Sequence, residues 1–476
     1  MLFSSLEFLF FFFPIVILVN FVLPKKARNY WLLAVSLFFY CWGEPTYFLL
    51  FLISILVNYC LGLLIFAVRK SEKALEKVLF IFALLLNFGL LFVTKYMNFL
   101  TENIRIWIPA WRGMIPVTSF VMPLAVSFYT FQNVGYIIDV HRGMDAEKNP
   151  CNYALFIAFF PQLLQGPILR YNAFCPYLNG RKVTADDFSE GVLRFLTGFN
   201  QKVLLANVLS EVAEAAFQAQ DLSVGMAWLG LFAYSLQLYF DFSGYSDMAL
   251  GLGRMFGFRF AENFDFPYAS KSITEFWRRW HITMGAWFRD YLYFPLGGSR
   301  VKSAFRLVLN LLIVWIATGI WHGAEWTFIL WGLLHGLFIV FEKLTDLPKR
   351  LAEKRTQQFL YRGVVLLAVM FGWVFFRSAN IAQAFFYAKS LFKLAGNPWR
   401  DSLFKFNSVE YWMTYLFAVL CAFPFCRILR KRIAECGESA ASAARVIWYL
   451  IQLILAVVSV SSLVMSTHNP FLYADF

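Results

Sequence analysis

The sequence predicts an all-α, polytopic integral membrane protein, and three observations lead to that fold class. Hydrophobic residues make up 60% of the 476 residues and charged residues only 15%, whereas soluble domains carry about a quarter charged residues. The mean hydropathy is +0.60. Most of the chain lies in apolar runs of about 17 to 25 residues, the length of a helix that crosses a bilayer. We therefore expect about 11 to 12 transmembrane helices, with additional re-entrant or interfacial helices.

The apolar runs place the expected spans in order along the chain. They lie near residues 8–23, 30–43, 46–68, 78–98, 117–138, 224–252, 305–322, 326–343, 361–376, 411–426 and 443–465. Pro161, Gly166 and Pro167 interrupt residues 152–170, so we expect a re-entrant or broken helix there. Residues 188–218 are more amphipathic. No repeat or soluble domain stands out, and the chain is interpreted as one membrane domain.

The basic residues follow the loops between spans rather than a nucleic-acid surface. The net charge is +13, but the positive-inside effect accounts for it, and no nucleic-acid partner is expected. The first apolar run has no Lys or Arg before it and is followed by Lys25, Lys26 and Arg28. This order indicates an uncleaved helix with its N-terminus outside. The 7 cysteines show no CxxC spacing and predict neither disulfides nor a metal site.

Two histidines lie in the apolar stretch WHGAEWTFILWGLLHG, residues 321–336. An imidazole inside a membrane span is a functional candidate, although a packing role is the open alternative for both His322 and His335. On one straight helix their separation of 13 residues gives about 220° of rotation and roughly 20 Å of rise, so the two imidazoles would face apart, and only a break near Gly323–Trp326 would bring them together. We assign His322 to chemistry. Because Gly332 belongs to a small-residue helix face, His335 is assigned to packing or to orienting a neighbour.

A second unusual segment, residues 276–298, is too charged to cross a bilayer. Its aromatic residues recur at three- or four-residue spacing and predict one face of an interfacial helix. The face combines the aromatic rings of Trp277, Trp280, His281 and Phe288 with the side chain of Met284. The cationic residues Arg278, Arg279 and Arg289 either contact lipid phosphates or bind a phosphate-bearing acyl donor.

The chemistry that these residues can support is acyl transfer by a histidine base. The sequence contains no Gly-x-Ser-x-Gly elbow, metal-ligand cluster or P-loop, so serine, zinc and nucleotide-hydrolysing chemistries lack their usual motifs. A histidine has an ordinary pKa of about 6.5 and can take a proton from an attacking hydroxyl. A thioester would supply an activated acyl group.

Five blocks of the sequence resemble the membrane-bound O-acyltransferase (MBOAT) superfamily. They are MPLAVSFYTFQNVGYIIDVHRG at 122–143, FFPQLLQGPILR at 159–170, QLYFDFSGYSDMALGLGRMFGFRFAENFDFPY at 237–268, RRWHIT around His281, and WHG at 321–323 with HG at 335–336. Within the superfamily the chain is most similar to the bacterial branch that O-acetylates alginate and peptidoglycan. The N-terminal MLFSSLEFLFFFFPI and the C-terminal NPFLYADF, residues 469–476, also resemble that branch.

The resemblance implies the MBOAT fold, in which helices surround a central tunnel. The signature core would cover about residues 120–343, flanked by peripheral helices at 1–119 and 344–476. It implies that His322 is catalytic and that His281 is the second signature histidine. Donor-binding candidates are Arg278, Arg279, Arg289, Trp277, Trp280, Trp321, Gln237, Asp241, Asn263 and Asp265. Of these, we expect Gln237 and Asp241 to line the tunnel, and Asn263 and Asp265 to shape its cytoplasmic mouth.

The resemblance also implies a reaction. An acetyl group would pass from cytosolic acetyl-CoA, or an acylated carrier protein, across the bacterial inner membrane to an exported polysaccharide, through an SGNH-type partner. No tightly bound cofactor is expected. The alternatives are D-alanyl transfer to teichoic acid, lipid O-acylation and non-enzymatic transport, and a transient acyl-histidine is an alternative to base catalysis. His141 and His468 are expected to be ordinary surface residues.

Overall fold

The computed structural model describes residues 1–465, apart from the side chain of Arg430. His468 and the C-terminal block at 469–476 lie outside the described residues. Every regular element in the described range is helical, which confirms the all-α prediction. Whether the chain is one functional domain stays a prediction.

The described residues form two compact units. The first contains Met1–Val192 and Ala249–Ala261, and the second contains Leu193–Met248 and residues 262–465. Helices that begin in the first unit are α1 (Phe13–Val22), α2 (Arg28–Gly43), α3 (Phe48–Val68), α4 (Lys73–Leu91), α5 (Met97–Trp107), α6 (Val126–His141), α7 (Pro150–Ala158), α8 (Phe160–Leu163), α9 (Tyr171–Phe174) and α10 (Ala185–Gln201). Helices that begin in the second are α11 (Val208–Gln218), α12 (Val224–Met255), α13 (Ile273–Arg279), α14 (Ile282–Phe288), α15 (Ala304–His322), α16 (Trp326–Thr345), α17 (Leu347–Ala352), α18 (Arg355–Arg377), α19 (Ile381–Leu391), α20 (Ser402–Glu410), α21 (Trp412–Ala422), α22 (Phe425–Glu435) and α23 (Glu438–Met465).

Short stretches of π-helix extend several of these helices. They occupy Phe8–Phe12, Phe92–Tyr96, Lys202–Asn207 and Arg289–Tyr293. The segment Phe92–Tyr96 joins α4 to α5, so that Lys73–Trp107 runs as one long apolar element. In the same way, Lys202–Asn207 joins the amphipathic helices α10 and α11.

Six helical elements among the described residues are long and apolar enough to cross a membrane. They are α3, the element Lys73–Trp107, α15, α16, α18 and α23. The pair α21 and α22 makes a seventh candidate if it is one span bent by 58°. Other expected spans are helical but shorter or more polar. The span expected at 117–138 becomes helical only at Val126, and α12 contains Asp241, Asp247 and Arg254.

Residues 152–170 form the broken helix that the sequence predicts. Helix α7 ends at Ala158, α8 covers only four residues, and the chain from Leu164 to Arg170 is not helical. Residues 155–169 are buried, and the side-chain amide of Gln162 donates to the backbone carbonyl of Phe156 at 2.5 Å. Irregular backbone in a membrane protein is tolerated where it is buried in protein.

The prediction of one aromatic-faced interfacial helix in 276–298 is wrong. Helix α13 ends before Trp280, and His281 has a left-handed backbone with φ 45° and ψ 54°. The cause is backbone pairing with a neighbouring segment. The N–H of Asp265 donates to the carbonyl of Arg279, and the N–H of Ile282 donates to that of Asn263, both at 3.0 Å. The residues at the break are buried and do not form an interfacial surface.

Helices α15 and α16 pack against each other as a hairpin whose turn is Gly323–Glu325, which confirms the predicted break. Glycines allow the two backbones to approach closely. A Cβ on Gly319 would lie 2.5 Å from the carbonyl oxygen of Phe328, and one on Gly332 would lie 2.4 Å from that of Trp315. Both distances are too short for a side chain, so the hairpin depends on these glycines.

We expect Gly332→Ala to destabilise the protein by about 1–3 kcal/mol, because the added methyl forces α15 and α16 apart. The matched control is Gly363→Ala in α18, where an added Cβ meets nothing within 4 Å. Unfolding of each purified variant in detergent, followed by tryptophan fluorescence, measures the difference. Equal unfolding midpoints for the two variants would contradict the role of Gly332.

Candidate functional site

The catalytic candidate His322 is the last residue of α15 and is 2% exposed. Three aromatic rings surround its imidazole. The ring centroids of Trp321 and Trp331 lie 4.9 Å away, and that of Phe376 in α18 lies 5.2 Å away. His322 is therefore held where a helix ends, among rings that exclude bulk water.

His335 is buried in an enclosure of indoles on α16. Its ring centroid lies 5.0 Å from that of Trp277, 5.3 Å from that of Trp331 and 6.0 Å from that of Trp315. A Cβ on Gly372 would come within 2.7 Å of Nε2 of His335, so α18 closes the enclosure. Neither ring nitrogen has a hydrogen-bond partner among residues 1–465. These contacts fit the packing role expected for His335.

His281 sits at the break between α13 and α14, fully buried. Its Nδ1 lies 3.1 Å from Oδ1 of Asn263. The same oxygen accepts from the N–H of Thr283 at 3.3 Å and from its hydroxyl at 3.0 Å. Because a backbone N–H can only donate, this orientation makes Oδ1 the acceptor, and Nδ1 of His281 must carry the proton.

The tautomer leaves Nε2 of His281 with a lone pair, and Nε2 has no hydrogen-bond partner within the described part of the chain. Burial lowers the pKa of His281 to about 3. The imidazole is therefore neutral near pH 7. It can accept a hydrogen bond from a ligand N–H or O–H, which agrees with a role in positioning a substrate.

The three histidines are connected by ring contacts through two tryptophans. Trp321 contacts His281 at 6.1 Å and His322 at 4.9 Å between ring centroids. Trp331 contacts His322 at 4.9 Å and His335 at 5.3 Å. We call these five residues the histidine–tryptophan chain. It joins the two sequence motifs in one cluster within the second unit.

The three arginines expected to bind the donor differ in their surroundings. Arg279 contacts Glu275 at 2.8 Å and Asp265 at 3.6 Å, and Arg289 contacts Asp290 at 3.1 Å. Arg278 is exposed and forms no ion pair with another side chain in the described part of the chain. Of the three, Arg278 has the guanidinium most available for a phosphate group.

The tryptophans of the donor-binding prediction lie around the cluster. Trp277 is partly exposed and touches His335, whereas Trp321 is buried between His281 and His322. Trp280 is also buried, and its ring lies 5.0 Å from that of Trp373 in α18. The structure thus places all three against the histidine–tryptophan chain or the helix that supports it.

Two acidic residues expected in the tunnel or at its mouth are paired with cations. Asp241 and Lys202 form a buried ion pair at 2.5 Å, with side chains 1% and 2% exposed. Asp265 is partly exposed and lies 2.7 Å from Arg427. Sequence reasoning missed Lys202, although a single lysine in the apolar part of 188–218 is itself a signal of an intramembrane partner.

The two amides of the prediction are both buried. Gln237 lies in α12 and is 4% exposed, and its Oε1 has no hydrogen-bond partner within residues 1–465. Asn263 is 1% exposed and holds His281, and its expected part in shaping a cytoplasmic mouth stays a prediction. A buried, unsatisfied amide oxygen is costly unless water or a ligand reaches it, which keeps Gln237 a candidate for contact with the donor.

No group of three His, Cys, Asp or Glu side chains in the described range could hold a metal ion. The arrangement can supply buried imidazoles, buried indoles and an exposed guanidinium. Such groups can accept a proton, exclude water and bind an anionic ligand at its charged end.

Comparison with known proteins identifies similar sequences along most of the chain. The family model for MBOAT, the membrane-bound O-acyltransferase family, matches residues 37–383. The probable alginate O-acetylase AlgI of Azotobacter vinelandii is 42% identical over 81% of this chain and 76% of its own. The relative of the same description from Pseudomonas putida is 38% identical over 100% of both chains. The peptidoglycan O-acetyltransferase of Helicobacter pylori is 34% identical over 83% of this chain and 80% of its own.

We expect the stability of the protein to fall with acid partly because His281 is buried and neutral. The unfolded chain binds a proton at His281 near pH 6.5, whereas the folded protein does so only near pH 3. Between these values the free energy of unfolding drops by about 1.4 kcal/mol per pH unit on account of this residue. Denaturant unfolding at pH 7, 6 and 5 should therefore show a shallower pH dependence for His281→Gln. Equal slopes for both proteins would contradict a neutral, buried His281.

Proposed function

Because the chain belongs to the membrane-bound O-acyltransferase family, we propose that it moves an acetyl group from a cytosolic thioester through the membrane to a hydroxyl on the outer side. The family and the relatives named O-acetylase and O-acetyltransferase make the protein an acyltransferase of the O-acetylating kind. The observation that best supports the site is the histidine–tryptophan chain, which brings His322 and His281 against one indole.

In the proposed reaction the acceptor hydroxyl gives its proton to the imidazole of His322. The hydroxyl oxygen attacks the thioester carbonyl, the carbon–sulfur bond breaks, and the departing thiolate takes that proton from His322, which restores the neutral imidazole. The new ester remains on the acceptor. The burial of His322 among aromatic rings supports this role, because a base works best where water does not compete for the reacting groups. Transient acetylation of His322 is the less direct variant.

His281 would position the donor rather than take part in proton transfer to the leaving group. Its Nε2 lone pair can accept a hydrogen bond from an amide N–H of a pantetheine arm, which both coenzyme A and carrier proteins present. The hydrogen bond from Nδ1 to Asn263 holds the ring in the required tautomer. Asn263 is thus proposed to orient His281.

We place the protein in the bacterial inner membrane and assign its acceptor to an exported polysaccharide such as alginate or peptidoglycan, the substrates in the names of its relatives. An SGNH-type exported partner would receive the acetyl group or pass it on. Incubation of the purified protein with labelled acetyl-CoA distinguishes the alternatives. A transporter moves its cargo without consuming thioester, and a lipid acyltransferase labels lipid without the partner.

We expect His322→Ala to lower acetyl transfer by about 10²- to 10⁴-fold, the usual contribution of a general base. The matched control is His141→Ala, since His141 lies in the first unit and contacts Glu76. Release of coenzyme A, measured with a thiol reagent in detergent, gives the rates. A folded His322→Ala protein that still transfers acetyl at the wild-type rate would contradict the role of His322 as the general base.

We expect Arg278→Ala to raise the KM for acetyl-CoA by about tenfold while kcat changes little, because a charge-assisted hydrogen bond is worth about 1.5 kcal/mol or more. Arg289→Ala is the comparison, since Arg289 already contacts Asp290, and its effect on KM should be smaller. The full dependence of rate on acetyl-CoA concentration measures both. A larger effect at Arg289 would show that the donor enters elsewhere.

A further inference from the structure

Glu342 is a buried acidic residue in the membrane-spanning helix α16, and the proposed reaction gives it no role. Its side chain is 3% exposed. Oε1 accepts from the N–H of Ile273 at 2.7 Å and from the hydroxyl of Tyr361 at 2.8 Å. Oε2 accepts from the N–H of Thr274 at 2.8 Å and from its hydroxyl at 2.6 Å. Four donors from two other elements therefore converge on one carboxyl group.

Three of these donors belong to the first turn of α13. The first N–H groups of a helix have no partner within the helix, and Glu342 supplies acceptors for two of them. A carboxylate accepting several backbone N–H groups makes hydrogen bonds stronger than those between neutral groups. Glu342 therefore links the start of α13 to α16 by hydrogen bonds, and the hydrogen bond from Tyr361 links the same carboxyl group to α18. We call this set of hydrogen bonds the anchor.

A second contact along α16 holds the same short helix. His335 precedes Glu342 by seven residues, which is about two helical turns, so the two side chains share a face about 10 Å apart. The ring of His335 packs on Trp277 in the middle of α13. Helix α13 is thus held at its start by hydrogen bonds and farther along by ring packing.

The element held in this way leads directly to His281. Helix α13 ends at Arg279, and His281 follows with φ 45°, a left-handed conformation that is unfavourable for a residue other than glycine. Such a backbone persists only where the surroundings hold it. The anchor at Glu342 and the pairing with Asn263 act at the two sides of this break.

We propose that Glu342 is a positioning residue for acetyl transfer, which holds α13 so that His281 keeps its place in the histidine–tryptophan chain and Trp277 keeps its contact with His335. This proposal rests on the proposed function. Glu342 does not touch the reacting atoms in it. It acts through α13, and its loss lowers the rate by allowing the helix start to move. A displacement of about 1 Å at a reacting group can cost about a hundredfold in rate.

The test compares Glu342→Gln and Glu342→Leu with the matched surface control Glu353→Leu, since Glu353 is exposed at the end of α17. Glutamine keeps one acceptor oxygen and so part of the anchor, whereas leucine keeps none. With saturating acetyl-CoA, kcat should fall about tenfold to a hundredfold for Glu342→Leu and less for Glu342→Gln. The control should retain the wild-type rate.

Hydrogen–deuterium exchange supplies a readout that does not need activity. The amides of residues 271–283 should exchange faster in the two Glu342 variants, in the same order as the loss of kcat, while α23 exchanges as in the wild type. Unchanged exchange in 271–283 would overturn the proposal, as would faster exchange with an unchanged kcat. If Glu342→Leu fails to fold, the nearly isosteric Glu342→Gln decides.

The two proposals fail in different ways. If the wild-type protein does not consume acetyl-CoA, the proposed function is overturned. Glu342 then has no acetyl transfer to support, whatever its effect on α13. A wild-type protein that transfers acetyl, with His322→Ala inactive and Glu342→Leu fully active, overturns the positioning role alone. Loss of kcat in Glu342→Gln without loss of folded protein supports it.

Discussion

The close approach of α15 and α16 is the constraint on which the candidate site depends. In a bilayer, apolar side chains gain little by leaving lipid for protein, so helices associate through tight packing of small residues. Gly319 and Gly332 provide that packing, each lying against a backbone carbonyl of the other helix. The hairpin then brings His322 at its turn and His335 farther along α16 against the same indole, that of Trp331.

Three buried polar groups in the second unit are either paired or neutral, which limits the cost of removing them from water. The ammonium of Lys202 meets the carboxylate of Asp241, and Glu342 accepts hydrogen bonds from four donors. His281 avoids the cost of a buried charge by remaining neutral. The same neutrality is useful for chemistry, because a neutral imidazole keeps a lone pair that can accept a hydrogen bond or a proton.

The helices of the site have two different roles, one in enclosing the histidine side chains and the other in presenting a ring nitrogen to a substrate. Helices α16 and α18 surround the imidazoles with indoles and a phenyl ring. The break between α13 and α14 presents a histidine whose tautomer Asn263 selects. The proposed reaction needs both properties, since its thioester donor must be kept from water while an acceptor hydroxyl reaches it. The similarity to O-acetylating relatives along the chain is in accord with this division.

The sequence by itself determined the membrane class, the helical content, the break in 152–170 and the break after His322. These follow from apolar run length and from proline and glycine, which act locally on the backbone. It also singled out His281 and His322 through two short motifs. It could not place them against one indole, because residues 281 and 321 meet only through tertiary packing.

Other features were decided by tertiary structure alone. The helix expected across 276–298 is broken, because backbone groups of the segment form hydrogen bonds with the backbone of Asn263 and Asp265 instead of with each other. Asp241 is paired with a lysine on another helix, and Asn263 is buried beside His281. Helical periodicity describes one helix at a time. Hydrogen bonds and ion pairs between segments distant in sequence have no periodic signal, so only the folded chain reveals them.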